Sequence, residues 1–367
     1  MSSAFWTGKR VFVTGHTGFK GSWLSLWLRR LGATVSGYAL EPPTQPSMFA
    51  LANVRDDIDH HIADIRDLEA ITAVLQAFAP EIVFHMAAQP IVRESYIIPV
   101  ETYATNVMGT VNLLEAVRQI ESIRATVIVT SDKCYENLET DRPYRESDPM
   151  GGYDPYSSSK GCAELVTSAY ARSFFMPHTG HGSVASVRAG NVIGGGDWAK
   201  DRLMADLMRG LSSGEEIVIR RPRAVRPWQH VLEPLSGYLT VGRHLYENGP
   251  MKWEGWNFGP DHDNNQTVEA LARLTCKLWG TPDAMRIQED PNAVHEAGLL
   301  TLDSTKAKTQ LGWYPHWNFA ESISRTVDWY RALCEGADMK DFTLRQIATY
   351  EAAPHRSALK QKELVGE

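Results

Sequence analysis

The stretch Val11-Phe12-Val13-Thr14-Gly15-His16-Thr17-Gly18-Phe19-Lys20-Gly21 decides the fold. It opens as a short β-rich run, breaks into glycines three residues apart, and continues into the helical pattern Trp23–Leu31. Three apolar residues in a row suit a strand covered on both faces. Glycines at this spacing let a turn approach a diphosphate closely, and the helix that follows points its partial positive end at the same place. A glycine triplet alone also fits a tight turn that merely packs a helix on a strand. A strand before it and a helix after it are what mark a dinucleotide site. His16 and Lys20, inside the loop, are either polar contacts for the cofactor or ordinary surface polarity.

Outward from this stretch the pattern repeats. Strand-like runs at Arg10–Thr14, Thr34–Tyr38, Ile82–Met86, Thr126–Ser131 and Val184–Arg188 alternate with helical patterns at Leu68–Phe78, Val107–Ile120 and Ser158–Phe175. Such alternation predicts an α/β fold, a Rossmann-type doubly wound parallel sheet. After Arg188 glycine and proline become frequent, and helical patterns return at Pro234–Glu247, Thr267–Trp279 and Phe319–Leu333. The reading is a NAD-binding domain of residues 1–187 plus about 228–260, and a smaller α/β substrate-binding domain of about 188–227 plus 261–350. Residues 351–367 form a polar tail.

Composition narrows the class. Hydrophobic residues are 43% and charged residues 22% of 367, a globular balance that excludes a disordered chain. The net charge of −7 disfavours a nucleic-acid binder. No apolar run reaches the roughly 18 residues of a membrane span, and the first ten residues carry no signal-peptide pattern. Cys134, Cys162, Cys276 and Cys334 are scattered, which fits neither a disulfide scaffold nor a metal site. The expectation is a cytoplasmic enzyme that binds no metal.

The second strand ends Gly37-Tyr38-Ala39-Leu40, with Glu41 just beyond. The acid that usually binds the adenine ribose diol is missing there. No arginine stands in its place for a 2′-phosphate, so NAD is favoured over NADP.

Tyr156-Ser157-Ser158-Ser159-Lys160 puts a tyrosine and a lysine four apart, on one face of a helix. A phenol is a poor base at its usual pKa of about 10, and a neighbouring ammonium lowers it toward working range. A hydroxyl from Thr130-Ser131 at a strand's carboxyl end can complete the set, since ligands of open α/β sheets bind at that edge.

The residues quoted so far, with Asp64-Ile65-Arg66-Asp67, His85-Met86-Ala87-Ala88-Gln89, Asn106, Arg188-Ala189-Gly190-Asn191-Val192 and Leu311-Gly312-Trp313, resemble the extended short-chain dehydrogenase/reductase family over nearly the whole chain. Within it, Ser131-Asp132-Lys133-Cys134-Tyr135, Gly194-Gly195-Gly196-Asp197-Trp198 and Arg226-Pro227-Trp228-Gln229-His230-Val231 are most similar to the CDP-glucose 4,6-dehydratase branch. The resemblance implies NAD bound by Gly15, His16, Thr17, Gly18, Phe19, Lys20 and Gly21, with Asp64 and Ile65 at the adenine and Ala87, Ala88 and Gln89 along the diphosphate and nicotinamide ribose. Asn106, Tyr156 and Lys160 complete the cofactor set. Ser131, Tyr156 and Lys160 would be the hydride-transfer triad.

The implied reaction is dehydration of CDP-glucose to CDP-4-keto-6-deoxyglucose in deoxysugar or polysaccharide biosynthesis; the alternative is a 4,6-dehydratase or 4-epimerase of another nucleotide sugar. An epimerase needs only the triad. Elimination across C5–C6 needs two further groups, and Asp132-Lys133 directly after Ser131 would supply them. Asp132 can be the acid only if protonated, and Lys133 either takes the C5 proton as a neutral amine or stabilises the enolate as a cation. Asn191, Asp197, Trp198, Arg202, Arg226, Gln229 and His230 would hold the sugar nucleotide. Arg220, Arg221 and Arg223 crowd the same region as Arg226, and a solvated patch suits any one of those three; Arg226 stands out by the Pro-Trp-Gln-His that follows. Trp198 and Trp228 either fill the core or face the ligand. His85, at the end of a buried strand, reads as structural. The family resemblance also implies a homodimer, or a pair of dimers, through helices around Asn106–Ile120 and Ser157–Phe175.

Overall fold

The computed structural model describes residues 3–176, 182–219, 221–249, 252–288 and 300–354. Seven strands form one sheet: β1 Arg10–Thr14, β2 Thr34–Ala39, β3 Asp59–Ile62, β4 Ile82–His85, β5 Ala125–Val129, β6 Ser183–Arg188 and β7 Glu254–Asn257. Every neighbouring pair is parallel, and the spatial order is β7-β6-β5-β4-β1-β2-β3. This is the doubly wound sheet that the alternating pattern predicts, with the order reversing between β1 and β4.

The apolar runs behave as a period of two requires. Val11 and Val13 of β1 face one hydrophobic cluster, and Phe12 faces the other. β3 and β7 carry no such signal. Asp59-His60-His61-Ile62 lies at the sheet's edge and is only partly buried, where polar residues are tolerated. Glu254-Gly255-Trp256-Asn257 is four residues long and contains a glycine, which weakens any strand pattern.

Helix α1 (Phe19–Arg30) follows β1 and is buried without a break from Gly21 to Leu28. Its second covering is helix Met339–Ala352 near the chain's end, for which the sequence reading provided no element; Trp27 donates its Nε1–H to Glu351 Oε1 at 2.9 Å. The rest of the expected tail, 355–367, lies outside the described residues. Helix α2 (Leu68–Phe78) is capped by Asp67, whose Oδ1 accepts the Ala70 amide at 2.9 Å. Helix α3 spans Gly109–Val117, preceded by a π-helical turn at Ala104–Met108. Helix α4 spans Pro155–Tyr170 and passes into a π-helical turn at Ala171–Phe175.

Beyond β6, helices α5 (Leu203–Ser213), α6 (Leu232–Asn248), α7 (Val268–Trp279) and α8 (Phe319–Cys334) alternate with short ladders. Val192–Ile193 pairs with Gln229–His230, Val225–Pro227 with Asn265–Thr267, and Ile217–Ile219 with Met285–Ile287. Helix α6 packs on β4, β5 and β6 of the central sheet. The sheet's own apolar cluster continues through Met208 of α5, Leu271 of α7 and Val327 of α8. Each such side chain removed from water contributes about 1.5–3 kcal/mol, so the smaller module is held by the same core that holds the sheet.

Candidate active site

At the reversal of strand order, the loops after β1 and β4 part and leave a cleft. It encloses about 900 Å³, within the range of cofactor and small-ligand sites. Gly15 starts the first loop with φ +76°. A Cβ there would lie 2.7 Å from the Ala87 amide nitrogen, and one at Gly21 would lie 2.1 Å from the Gly15 carbonyl oxygen. Only glycine permits either approach. Gly18 opens α1 with no side-chain cap and no acid in the first turn, which leaves the helix's positive end for an anion. The Thr17 hydroxyl donates to the Leu40 carbonyl at 2.8 Å and ties this loop to the segment after β2.

Of the two polar residues in the loop, one faces the cleft. Lys20 lines it, half-buried. Burial, then the cationic Arg202, pull its pKa down to about 7, with Asp132 and Asp197 acting the other way. His16 is fully buried and turned away, against the expectation of a cofactor contact. Its ring fills the space over Gly37, where a Cβ would lie 2.4 Å from it, and its Nε2 sits 2.6 Å from His60 Nδ1. Burial first, then the neighbouring imidazoles, push its pKa down to about 3.

Asp64 and Ile65 line the far end of the cleft with Tyr38, and Ala87 and Ala88 line its floor. The Asp64 carboxylate is held below its usual range by its hydrogen bonds to Arg66, 2.6 Å away at Nη2. Gln89 and Asn106 do not line the cleft. Gln89 gives its carboxamide to Thr102 at 2.9 Å, and Asn106 clasps the Gln89 backbone at 2.8 Å and the Ser159 hydroxyl at 2.9 Å. These two side chains fix the loop after β4 to α4. His85 is likewise internal, between the hydroxyls of Thr14 at 2.7 Å and Thr110 at 3.2 Å.

The residues expected to react stand around the carboxyl ends of β5 and β6. Asp154 caps α4 through the Ser157 amide at 2.9 Å, and Pro155 fills the first helical position, an N-terminus readable from sequence. Tyr156 therefore sits in the first turn and Lys160 one turn on, both buried and both on the cleft. The Tyr156 phenol stands beside Ser131. Burial pushes it up to about 12, Ser131 pulls it down, and the cation acting on it most strongly is Arg202. Lys160 is pushed down to about 8 by burial, opposed by the Glu164 carboxylate, and its Nζ lies 3.5 Å from the Val129 carbonyl.

Ser131 caps the one-turn 3₁₀ segment Asp132–Cys134 and donates to Asp132 Oδ1 at 2.9 Å. Asp132 is buried against Gly190, where a Cβ would lie 1.8 Å from its Oδ2. Asn191, in the left-handed region at φ 52°, points its amide at the same oxygen from 3.5 Å. Lys133 is half-buried on the turn.

On the opposite wall, Asp197 is buried and accepts from Arg202 Nη1 at 3.0 Å. Arg202, Trp198 and Arg209 line the cleft. The sequence reading passed over Arg209, although it stands seven residues, two helical turns, after Arg202. Trp198 meets Tyr330 edge-on at 5.2 Å, whereas Trp228 is a core residue whose Nε1–H goes to the Gln266 carbonyl at 3.1 Å. Gln229 is buried behind the cleft, its amide shared by the carbonyls of Gly190 and Phe258, each at 3.0 Å. His230 sits between Trp23 at 5.8 Å and Trp317 at 4.8 Å, and burial pushes its pKa down to about 3. Arg226 is half-buried on the ladder to Asn265–Thr267 and does not line the cleft. Arg220 lies outside the described residues. Among the described residues no group of three histidine, cysteine or acidic side chains could hold a metal ion.

Residues 12–239 match the family model described as GDP-mannose 4,6 dehydratase. The chain is 56% identical to a CDP-glucose 4,6-dehydratase of Salmonella typhimurium, covering 96% of this chain and 99% of that one. It is 30% identical to a dTDP-glucose 4,6-dehydratase of Mycolicibacterium smegmatis, covering 88% and 93%. Among solved structures it superposes on the NAD complex of the Thermus thermophilus UDP-glucose 4-epimerase with a TM-score of 0.76 and 25% identity, over 88% of this chain and 99% of that one. The glycine cradle, the buried tyrosine–lysine turn and these matches agree: the chain belongs to the GDP-mannose 4,6-dehydratase family of nucleotide-sugar dehydratases and epimerases.

Proposed function

We propose that the chain is an NAD-dependent hydro-lyase that converts CDP-glucose to CDP-4-keto-6-deoxyglucose. The observation that carries the reading is the 56% identity to a CDP-glucose 4,6-dehydratase along nearly the full length of both chains. The cradle fits a dinucleotide, because Gly15 and Gly21 let the loop after β1 pack backbone to backbone against its neighbours, and the start of α1 is left uncapped for a diphosphate. Held by Gly15, Gly18, Gly21 and the start of α1, NAD would supply the acceptor for the C4 hydride and the donor for C6.

The protein's own groups then divide the work. Gly15, Gly18 and Gly21 with the start of α1 hold the diphosphate, and Lys20 adds a cation beside it. Tyr156 takes the proton of the 4-hydroxyl, with Ser131 hydrogen-bonded to the same oxygen. Ser131 and Arg202 favour the phenolate that burial alone would disfavour. Once C4 is a ketone, the proton on C5 becomes acidic. Lys133 acts at C5, as a neutral base or as the cation beside the enolate, and Asp132 protonates the departing 6-hydroxyl, so that water leaves. Arg202 and Arg209 offer guanidinium forks to the sugar nucleotide's phosphates.

A 4-epimerase shares the triad and the fold, and Asp132-Lys133 is the feature that weighs against it. The division into a cofactor domain of 1–187 plus about 228–260 and a substrate domain of the remainder to 350 accords with this assignment of roles. A homodimer, alone or doubled, is supported by apolar side chains left exposed along 96–108 and on α4 and the turn after it, among them Ile97, Val100, Met108 and Leu165. No helix among the described residues is long and apolar enough to cross a membrane, in keeping with a cytoplasmic enzyme. Incubation with CDP-, dTDP-, UDP- and GDP-glucose, followed by assay of the 4-keto product, tests the reading. CDP-glucose should turn over fastest by far; equal turnover of all four would remove the nucleotide assignment.

A further inference from the structure

We infer that Tyr135 is a positioning residue for the elimination half of the reaction, its phenol anchoring the Asp132–Lys133 turn to a buried ion pair. The inference rests on the assignment of Asp132 and Lys133 to that half. These two residues lie on one 3₁₀ turn of three residues, too short to hold its own geometry. What holds it comes from outside.

Tyr135 is the first residue after the turn and is buried. Its hydroxyl accepts from Arg188 Nη1 at 2.5 Å and donates to Asn257 Oδ1 at 2.7 Å. Arg188, fully buried, gives its Nε and Nη2 to the two oxygens of Glu164, each at 2.8 Å. Glu164 also accepts from the Ser186 hydroxyl at 2.6 Å and from Thr130. Thr130 is the residue before Ser131. The network thus grips both ends of the run Thr130–Tyr135 and leaves Ser131, Asp132 and Lys133 between two fixed points.

Its members stand on rigid elements: Glu164 on α4, Ser186 and Arg188 on β6, Asn257 on β7. Glu164 is also one turn beyond Lys160, so the same ion pair stands beneath the oxidation triad. Oxidation has a second anchor in α4 itself. At the end of the elimination pair's turn the backbone is held by the Gly151 amide on the Cys134 carbonyl at 2.9 Å and the Glu136 amide on the Pro149 carbonyl at 3.0 Å, and Tyr135 adds the side-chain anchor to the ion pair. A misplacement of about 1 Å at reacting groups slows a step about 100-fold.

The test follows bound NADH by stopped-flow absorbance with CDP-glucose, together with exchange of solvent deuterium into C5, in holoenzyme carrying Tyr135→Phe, Lys133→Ala or Tyr144→Phe. Tyr135→Phe should slow product formation about 10- to 100-fold, let reduced cofactor build up, and depress C5 exchange. Tyr144 is the control: it is equally buried and stacks on Tyr135 at 5.3 Å, but its hydroxyl serves Asn137 and the Leu138 amide. Tyr144→Phe should lower thermal stability without any build-up of NADH. If Tyr135→Phe does not fold, Asn257→Ala removes the acceptor of the same hydroxyl and should give the same build-up. Build-up in Lys133→Ala but in neither Tyr135→Phe nor Asn257→Ala overturns the positioning role and leaves the elimination assignment standing. No build-up in Lys133→Ala overturns both.

Discussion

The backbone of Ala87 occupies the place where a side chain on Gly15 would stand: a Cβ on Gly15 would lie 2.7 Å from the Ala87 amide nitrogen. The loops after β1 and β4 touch here, at their starts, before they part around the cleft, and the dinucleotide cradle depends on that contact. Gly15→Ala brings both that collision and a left-handed φ of +76°, which alone costs an L-residue about 1–2 kcal/mol. The variant should lose most of its affinity for NAD and melt at a lower temperature. Thermal shift with and without NAD checks this; a wild-type ligand-induced shift would show that the cradle lies elsewhere.

Lys160 makes stability depend on pH in a defined direction. Its folded-state pKa of about 8 lies below the ordinary 10.5 because the ammonium is buried. Between those values the unfolded chain holds a proton that the folded chain lacks, so stability from this residue rises with pH across the window and is absent below about 8. Lys160→Met should therefore abolish turnover yet be more stable than wild type at pH 7, by up to about 3 kcal/mol. The difference should shrink by pH 10. Urea midpoints at the two pH values measure it, and a constant difference would mean that the ammonium is not desolvated.

Lys20 couples proton uptake to cofactor binding. With a pKa of about 7 it is largely neutral at pH 8, and an anionic diphosphate alongside would restore its charge. Binding of NAD should take up part of a proton and weaken as pH rises from 7 to 9. Calorimetry in two buffers of different ionisation heat reads the uptake directly. Lys20→Met should abolish it.

What the sequence disclosed was what neighbours along the chain decide. The glycine loop and the Tyr156–Lys160 spacing are local, and they stand in the structure where local rules put them; the start of α4 at Pro155, capped by Asp154, lies three residues before the expected Ser158. The directions of His16, Gln229 and His230 are not local. His16 turns inward because Gly37, on the adjacent strand, leaves room for its ring. His230 is internal because Trp23 and Trp317 converge on it from distant parts of the chain. Arg209 was legible from its two-turn spacing to Arg202. The network of Tyr135, Arg188 and Glu164 was not, since it joins residues brought together only by the order of β5, β6 and β7.

Arg202 has two partners in the cleft, the Asp197 carboxylate at 3.0 Å and, through its charge, Tyr156. Arg202→Ala should raise KM for CDP-glucose about 10- to 100-fold, the range expected when one charge-assisted hydrogen bond to a phosphate is lost. It should also move the acid limb of the kcat profile to higher pH, because the phenolate that acts as base loses its strongest cation. Steady-state kinetics from pH 6 to 10 separate the two effects. An unchanged KM would place the phosphates against other side chains.

The central claim is that hydride leaves C4 and returns to C6 of the same sugar. Reaction of the enzyme with CDP-glucose deuterated at C4, followed by NMR of the product, tests it most directly. The account predicts a 4-keto-6-deoxy sugar whose deuterium has moved to the C6 methyl group, with no net consumption of NAD. Deuterium retained at C4 of a 4-epimeric sugar, with C6 still bearing its hydroxyl, would contradict it.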